Sequence, residues 1–304
     1  MGKLFLKTTT SLLVAVLAAS PLHAAPPKKK TPPAHPAPNA QAVSKKPVPE
    51  TPPLAPGELL LRARGAIVID ALSGVPLYEK NADAKQYPAS TTKIMTALLV
   101  IEEGNLEKEV EITPEEGRVG ESSLNLVTGE HFKRSQMLYG LMLKSANDVA
   151  HALGRDNAGS MPAFAEKMTL RARELGATST RFMNPHGLHH IEHYTTPRDL
   201  ALITRAAMQQ PLFRQIVATL KQPWATEFAM RELRNHNRLL TRYPGCTGVK
   251  TGYTNPAQQV LVSAALRGAR EVIAVVMHTD KPGIWDDSIS LLDFGFAHPP
   301  VIEP

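Results

Sequence analysis

Three short clusters in the sequence carry side chains that could do covalent chemistry. Ser90 stands three residues before Lys93 in "PASTTKIMTALLV", Ser145 stands two before Asn147 in "LKSANDVA", and Lys250-Thr251-Gly252 heads an apolar stretch near the C-terminus. A serine hydroxyl is a weak nucleophile at neutral pH and needs an adjacent base. Residues three apart on a helix share a face, so Ser90 and Lys93 could be such a pair. The plainer reading is a helix start, with serine as N-cap and a solvated lysine. At average usage the Ser-x-x-Lys spacing turns up about once in a chain this long. Two features weigh against the plainer reading. The helix that follows is apolar on more than one face, so Lys93 should be buried, and a buried ammonium needs a reason. Serine and asparagine also favour helix breaks as caps, but a Lys-Thr-Gly triplet arises by chance in only about one chain in ten. Coincidence explains poorly why all three occur in this order, each at the end of an element.

The elements that must position these clusters can be read from the pattern. "GAIVID", a turn ending in Gly74 and "VPLYEKN" predict a β-hairpin. From Ser90 to Glu103 the period becomes helical, with Ile94, Leu98 and Ile101 on a stripe and Gly104-Asn105 as the stop. The middle, about 105 to 220, reads as mostly helical: "RSQMLYGLMLK", "NDVAHALGRD", "MPAFAEKMTLRARELG" and "TPRDLALITRAAMQQ". "GVKTGYT", "QQVLVSAALRG" and "REVIAVVMHT" then read as three strands before a closing helix near "SISLLDFGF". Strands at both ends of the chain around a helical middle imply an α+β fold. Its antiparallel sheet would be flanked by helices, with a helical lobe inserted.

The set Ser-x-x-Lys, Ser-x-Asn and Lys-Thr-Gly resembles that of the penicillin-binding proteins and class A β-lactamases. The chain closely resembles the low-molecular-mass members, the serine D-alanyl-D-alanine carboxypeptidases, over residues 66 to about 296. "YPASTTKIMTALL", "SAND", "TRFMNPHGL", "NHNRLL" and "GVKTGYT" carry the resemblance. It implies a β-lactamase/DD-peptidase-like fold. It also implies removal of the terminal D-alanine from peptidoglycan stem peptides through an acyl-enzyme on Ser90, with β-lactams as inhibitors and no metal or cofactor. Lys93 can act as the base only if neutral, and both burial and a nearby Lys250 would depress its pKa. By the resemblance, Ser145 relays the proton to the leaving amine and Asn147 bonds the substrate amide. Lys250 and Thr251 bind the terminal carboxylate, Gly252 lets the substrate lie along its strand, and the N–H groups of Ser90 and Tyr253 form the oxyanion hole.

Two departures bear on recognition of the substrate's end. Relatives commonly carry Ala-Gly shortly after the triplet, where this chain has Ala257-Gln258-Gln259, and some place an arginine before the final helix, where this chain has Ile284. Rival readings are weaker. His189-x-x-Glu192-His193 matches a zinc-peptidase pattern, but Gly187 before it and Pro197 after it predict a loop rather than the helix such ligands need. The Glu-x-x-Leu-Asn stretch of a β-lactamase is not found. A DD-endopeptidase that cuts cross-links, and a wall-binding relative without turnover, remain as alternatives.

Export fits this chemistry. Met1 to Ala24, with Lys3 and Lys7 before "SLLVAVLAAS", has the layout of a signal peptide, and its apolar run is too short to span a bilayer. The chain is expected in the periplasm or cell envelope of a bacterium. Residues 25–56 are proline- and lysine-rich and read as a semi-rigid linker, leaving 57–304 as the catalytic domain. The formal charge of the whole chain is +6. The seven lysines of the leader and linker, less Glu50, account for all of it, so the remainder is neutral and nucleic-acid binding loses its main argument. Cys246 is the single cysteine, so no internal disulfide can form. The chain stops at Pro304 without the β-rich domain and amphipathic tail of many carboxypeptidases, and no stable membrane anchor is expected after signal cleavage.

Overall fold

The computed structural model describes residues 59–226 and 229–299; the expected leader at 1–24 and expected linker at 25–56 lie outside them. β1 (Gly65–Asp70) and β2 (Pro76–Lys80) form the expected hairpin. A 3-10 turn, Ala89–Thr92, leads into α1 (Lys93–Glu103). β3 (Glu109–Glu111) pairs with β4 (His131–Lys133). α2 (Arg134–Tyr139) then runs through a π-helical turn, Gly140–Lys144, to α3 (Asn147–Ala158). α4 (Met161–Glu174), α5 (Pro197–Met208) and α6 (Pro211–Ala218) follow. The hairpin of β5 (Lys221–Ala225) and β6 (Met230–Arg234) and the short α7 (Leu239–Arg242) precede three long strands. These are β7 (Cys246–Thr254), β8 (Gln258–Arg267) and β9 (Arg270–Thr279), and α8 (Gly283–Ala297) closes the described chain.

One antiparallel sheet carries the order β2-β1-β9-β8-β7, so the strands from the two ends of the chain meet where β1 pairs with β9. Alternate residues of these strands enter two cores. Ile67, Val260, Val262, Ile273 and Val275 pack toward α1, α3 and α5, and Val68, Leu261, Val272 and Ala274 pack toward α8. Because both faces are covered, β1 reads as a continuous apolar run rather than an alternating one. α1 is buried throughout Lys93–Val100, with each fully buried aliphatic side chain contributing roughly 1.5–3 kcal/mol.

The local signals behave as expected at several helix ends. Ser160 Oγ accepts from Ala163 N at 3.3 Å and Thr196 Oγ1 from Asp199 N at 3.0 Å, each capping an orphan donor. Elsewhere the chain differs from the sequence pattern. α1 begins at Lys93, not Ser90, because the preceding residues wind more tightly. α8 begins at Gly283, well before "SISLLDFGF". The region 105–220 contains the small β3–β4 hairpin, whose strands are too short to show a period. The β5–β6 hairpin is hidden by Pro223 and by the charges Arg231, Glu232 and Arg234. It is held by Trp224, buried and stacked on Phe132 at 5.0 Å between ring centroids.

Candidate active site

Ser90 sits in the 3-10 turn, where its side chain caps nothing, so the reading as an ordinary N-cap fails. The N–H groups at the start of such a turn have no intrahelical acceptor and remain available. Its predecessor Ala89 is buried with φ +48°, a conformation that costs a non-glycine residue roughly 1–2 kcal/mol. The turn is held from outside. Gly187 has φ +89°, and a Cβ there would stand 1.8 Å from Ala89 O, so only glycine lets the 184–188 loop close on the segment before Ser90.

Lys93 is fully buried at the first position of α1. Its Nζ lies 3.1 Å from Ser90 Oγ, 2.7 Å from Asn147 Oδ1 and 2.7 Å from His186 O. Burial pushes its pKa far below the ordinary lysine value and the charge of Lys250 pushes it further, against the opposing pull of Asp148 and Glu121. The partners suit a neutral amine. Asn147 Oδ1 and His186 O can only accept, so they take the two N–H bonds, and the lone pair is left facing the Ser90 hydroxyl.

Asn147 opens α3 and ties the second cluster to the first. Besides meeting Lys93, it donates from Nδ2 to Gly120 O at 3.3 Å and from its backbone N to Ser122 O at 2.7 Å. Ser145, two residues earlier, is 6% exposed and held at φ +64°. Its hydroxyl has no hydrogen-bond partner among the described residues. Lys250 on β7 is 1% exposed, with Nζ donating to Thr251 O at 3.0 Å, and burial lowers its pKa to about 7. Gly252 packs against the Ser90 turn: a Cβ there would stand 2.9 Å from Ser90 N and 3.1 Å from Ala89 Cβ. Tyr253 is half exposed, its hydroxyl donating to Asn255 Oδ1. The three clusters separated along the chain thus meet around Ser90, beside the edge strand β7 of the sheet, which carries the third of them.

The family described as D-alanyl-D-alanine carboxypeptidase, Peptidase_S11, matches residues 52–281. The chain belongs to this family. It is similar to D-alanyl-D-alanine carboxypeptidase DacF of Bacillus subtilis, 34% identical over 248 residues, or 79% of this chain and 64% of DacF. It thus spans under two thirds of that relative. A D-alanyl-D-alanine carboxypeptidase of Streptomyces sp. (strain K15) is 34% identical over 266 residues, 81% of this chain and 91% of the relative. The crystal structure of the Streptomyces K15 DD-transpeptidase matches with a TM-score of 0.75 at 33% identity, covering 79% of this chain and 99% of that one. The α+β architecture is therefore the DD-peptidase fold.

Within this D-alanyl-D-alanine carboxypeptidase family the two departures have physical explanations. Gln258 has φ +55° in the β7–β8 turn, where a glycine would be unstrained. Its side-chain amide donates to Asn255 O and holds the turn from within. Ile284 is buried in the core under α8, and the cations bordering the small pocket beside it are Arg238 and Lys281.

Several positioning residues were not legible as such. Asp148 is buried and accepts from Leu124 N, Leu126 N and Ser123 Oγ, fixing the loop whose Gly120 and Ser122 carbonyls hold Asn147. Glu116 accepts from Thr113, His151 and Arg155 at the other end of that loop. Its burial would raise the pKa, but these hydrogen bonds prevail and pull it to about 2. Their acidic side chains in a polar stretch gave no periodic signal. The His189–His193 segment is a loop, as expected. His193 is a strut: Met183 N donates to its Nδ1 at 3.1 Å, so the Nε2–H donates to Thr92 Oγ1 at 2.8 Å. Glu192 pairs instead with Arg181.

Proposed function

We propose that this protein removes the terminal D-alanine from peptidoglycan stem peptides through an acyl-enzyme on Ser90. The observation that carries the reading is the buried amine of Lys93 beside the Ser90 hydroxyl, with its other two positions taken by obligate acceptors. Lys93 takes the Ser90 proton as the oxygen attacks the carbonyl of the penultimate residue. The oxyanion is received by the N–H groups of Ser90 and Tyr253, each such donor supplying about 3 kcal/mol. Ser145 passes the proton to the leaving amine, which departs as D-alanine. Asn147 orients the donor amide, while the charged Lys250 and the Thr251 hydroxyl hold the terminal carboxylate. Water then cleaves the ester, with Lys93 as base again. A β-lactam follows the acylation step and stays on Ser90.

The leader at 1–24 would export the chain, and the linker at 25–56 would set the domain 57–304 off from it. Digestion of purified muropeptides tests the reading. Free D-alanine from monomeric pentapeptides supports it, whereas monomers freed from cross-linked dimers without D-alanine release would mark an endopeptidase.

A further inference from the structure

A second concave site lies at the end of the sheet where β1 begins and β2 and β9 finish. It is a pocket of about 630 Å³ whose lining includes Arg62, Arg64, Lys80 and Lys85 and contains no aspartate or glutamate. Three of the four, Arg64, Lys80 and Lys85, have no carboxylate partner among the described residues; Lys80 Nζ donates to Leu61 O at 2.7 Å, and Lys85 Nζ stands 4.2 Å above the ring of Tyr194. Arg62 has one, Asp280 at 3.4 Å, with both side chains more than half exposed, a geometry that contributes little. The nearby acids Glu79 and Asp83 are both already held by Arg198. Four positive groups therefore converge on one cavity in a region of the chain whose formal charge is balanced overall.

The walls of this pocket lead to Ser90. Tyr87 lies three residues before the nucleophile and Pro256 lies four past Gly252, and both line the cavity. On the reading proposed above, the leaving residue lies toward Lys250 and Thr251. The acyl-donor peptide then runs the other way along the edge strand β7, past Tyr253 toward Pro256. An extended donor rises about 3.3 Å per residue, so a group three residues upstream of the scissile bond lies about 10 Å along it, in the direction of Pro256.

We propose that this basic pocket is a specificity subsite for an acidic group of the donor peptide, a carboxylate about three residues upstream of the scissile bond. The inference rests on the proposed DD-peptidase function and names the class of peptide that site takes. Arg64 and Lys85 would meet the carboxylate, and Lys80 and Arg62 would supply field rather than contact. Longer acidic donors are then turned over faster than short or neutral ones, because the added charge pairs form while the peptide is positioned for attack.

The experiment uses the leaderless chain and two peptides ending in D-Ala-D-Ala that differ only in whether the upstream carboxyl is free or amidated. The wild-type protein should show kcat/KM about fivefold higher for the free carboxylate, with the preference shrinking as salt is raised. In the double variant Arg64→Gln/Lys85→Gln the ratio should collapse to about one, while labelled penicillin still acylates the protein and so reports an intact fold. Equal turnover of the two peptides by the wild type, or a preference that survives in the double variant, would overturn the subsite. Failure of the folded wild type to take penicillin or to release D-alanine from either peptide would instead overturn the function reading, and the subsite with it.

Discussion

The Nζ of Lys93 stands 3.1 Å from the Oγ of Ser90, in surroundings that leave the lysine no exposed surface. A cation confined there without a carboxylate in contact would be costly, and the neutral form fits the hydrogen bonds better than the charged one. Lys93→Met keeps the volume and removes the base. Its rate of acylation by penicillin should fall by about 10³-fold or more, with the melting temperature unchanged or raised. Lys93→Arg should be equally inactive, since a guanidinium stays protonated. Stopped-flow acylation beside thermal unfolding checks both.

The two buried lysines predict a pH profile with two limbs. Lys250 must be charged to hold a carboxylate, and burial lowers its pKa to about 7, so kcat/KM should fall as pH rises through that value. Lys93 must be neutral, and burial with the Lys250 charge holds its pKa well below the usual lysine range, so the acid limb appears only where Lys93 becomes protonated. Lys250→Arg should carry the basic limb upward, because its charge persists. A rate that climbs steadily to pH 10 in the wild-type protein would contradict the assignment.

At Gly252 the approach of β7 to the Ser90 turn leaves no room for a side chain, a Cβ standing 2.9 Å from Ser90 N. Gly252→Ala should displace the strand from the Ser90 turn and spoil the oxyanion site. A loss in acylation of about 10²-fold with a shift of only a few degrees in melting is expected. Parallel kinetic and calorimetric measurements distinguish this from general unfolding.

His193 links the 183–193 loop to Thr92 at the threshold of α1. Burial, reinforced by His190, His189 and Lys93, lowers its pKa from 6.5 to about 3. Between those values the unfolded chain binds a proton that the folded chain does not, so stability falls as pH drops through this window. His193→Gln should cost about 1–3 kcal/mol at neutral pH and flatten the fall below pH 6.5. Urea titrations at several pH values give the slopes directly.

Much of this was legible in the sequence where a local rule and the global fold coincide. Strand runs at both ends of the chain pointed to one antiparallel sheet, and the stripe of Ile94, Leu98 and Ile101 pointed to the helix behind Ser90. The three clusters were visible because their side-chain types are unusual in combination. What stayed hidden depends on contacts distant in sequence. The carbonyl of His186 becomes a ligand of Lys93 only because Gly187 lets its loop reach Ala89. Asp148 and Glu116 order the wall beside Asn147 through backbone amides that no pattern announces. The β5–β6 hairpin depends on burial of Trp224 against Phe132, not on strand propensity.

The central claim is that Ser90 is the nucleophile. Incubation with a labelled penicillin, followed by trypsin and mass spectrometry, should place the added mass on the peptide Gln86–Lys93, and Ser90→Ala should lose the label while remaining folded. Label on another residue, or none on folded wild-type protein, would contradict the account.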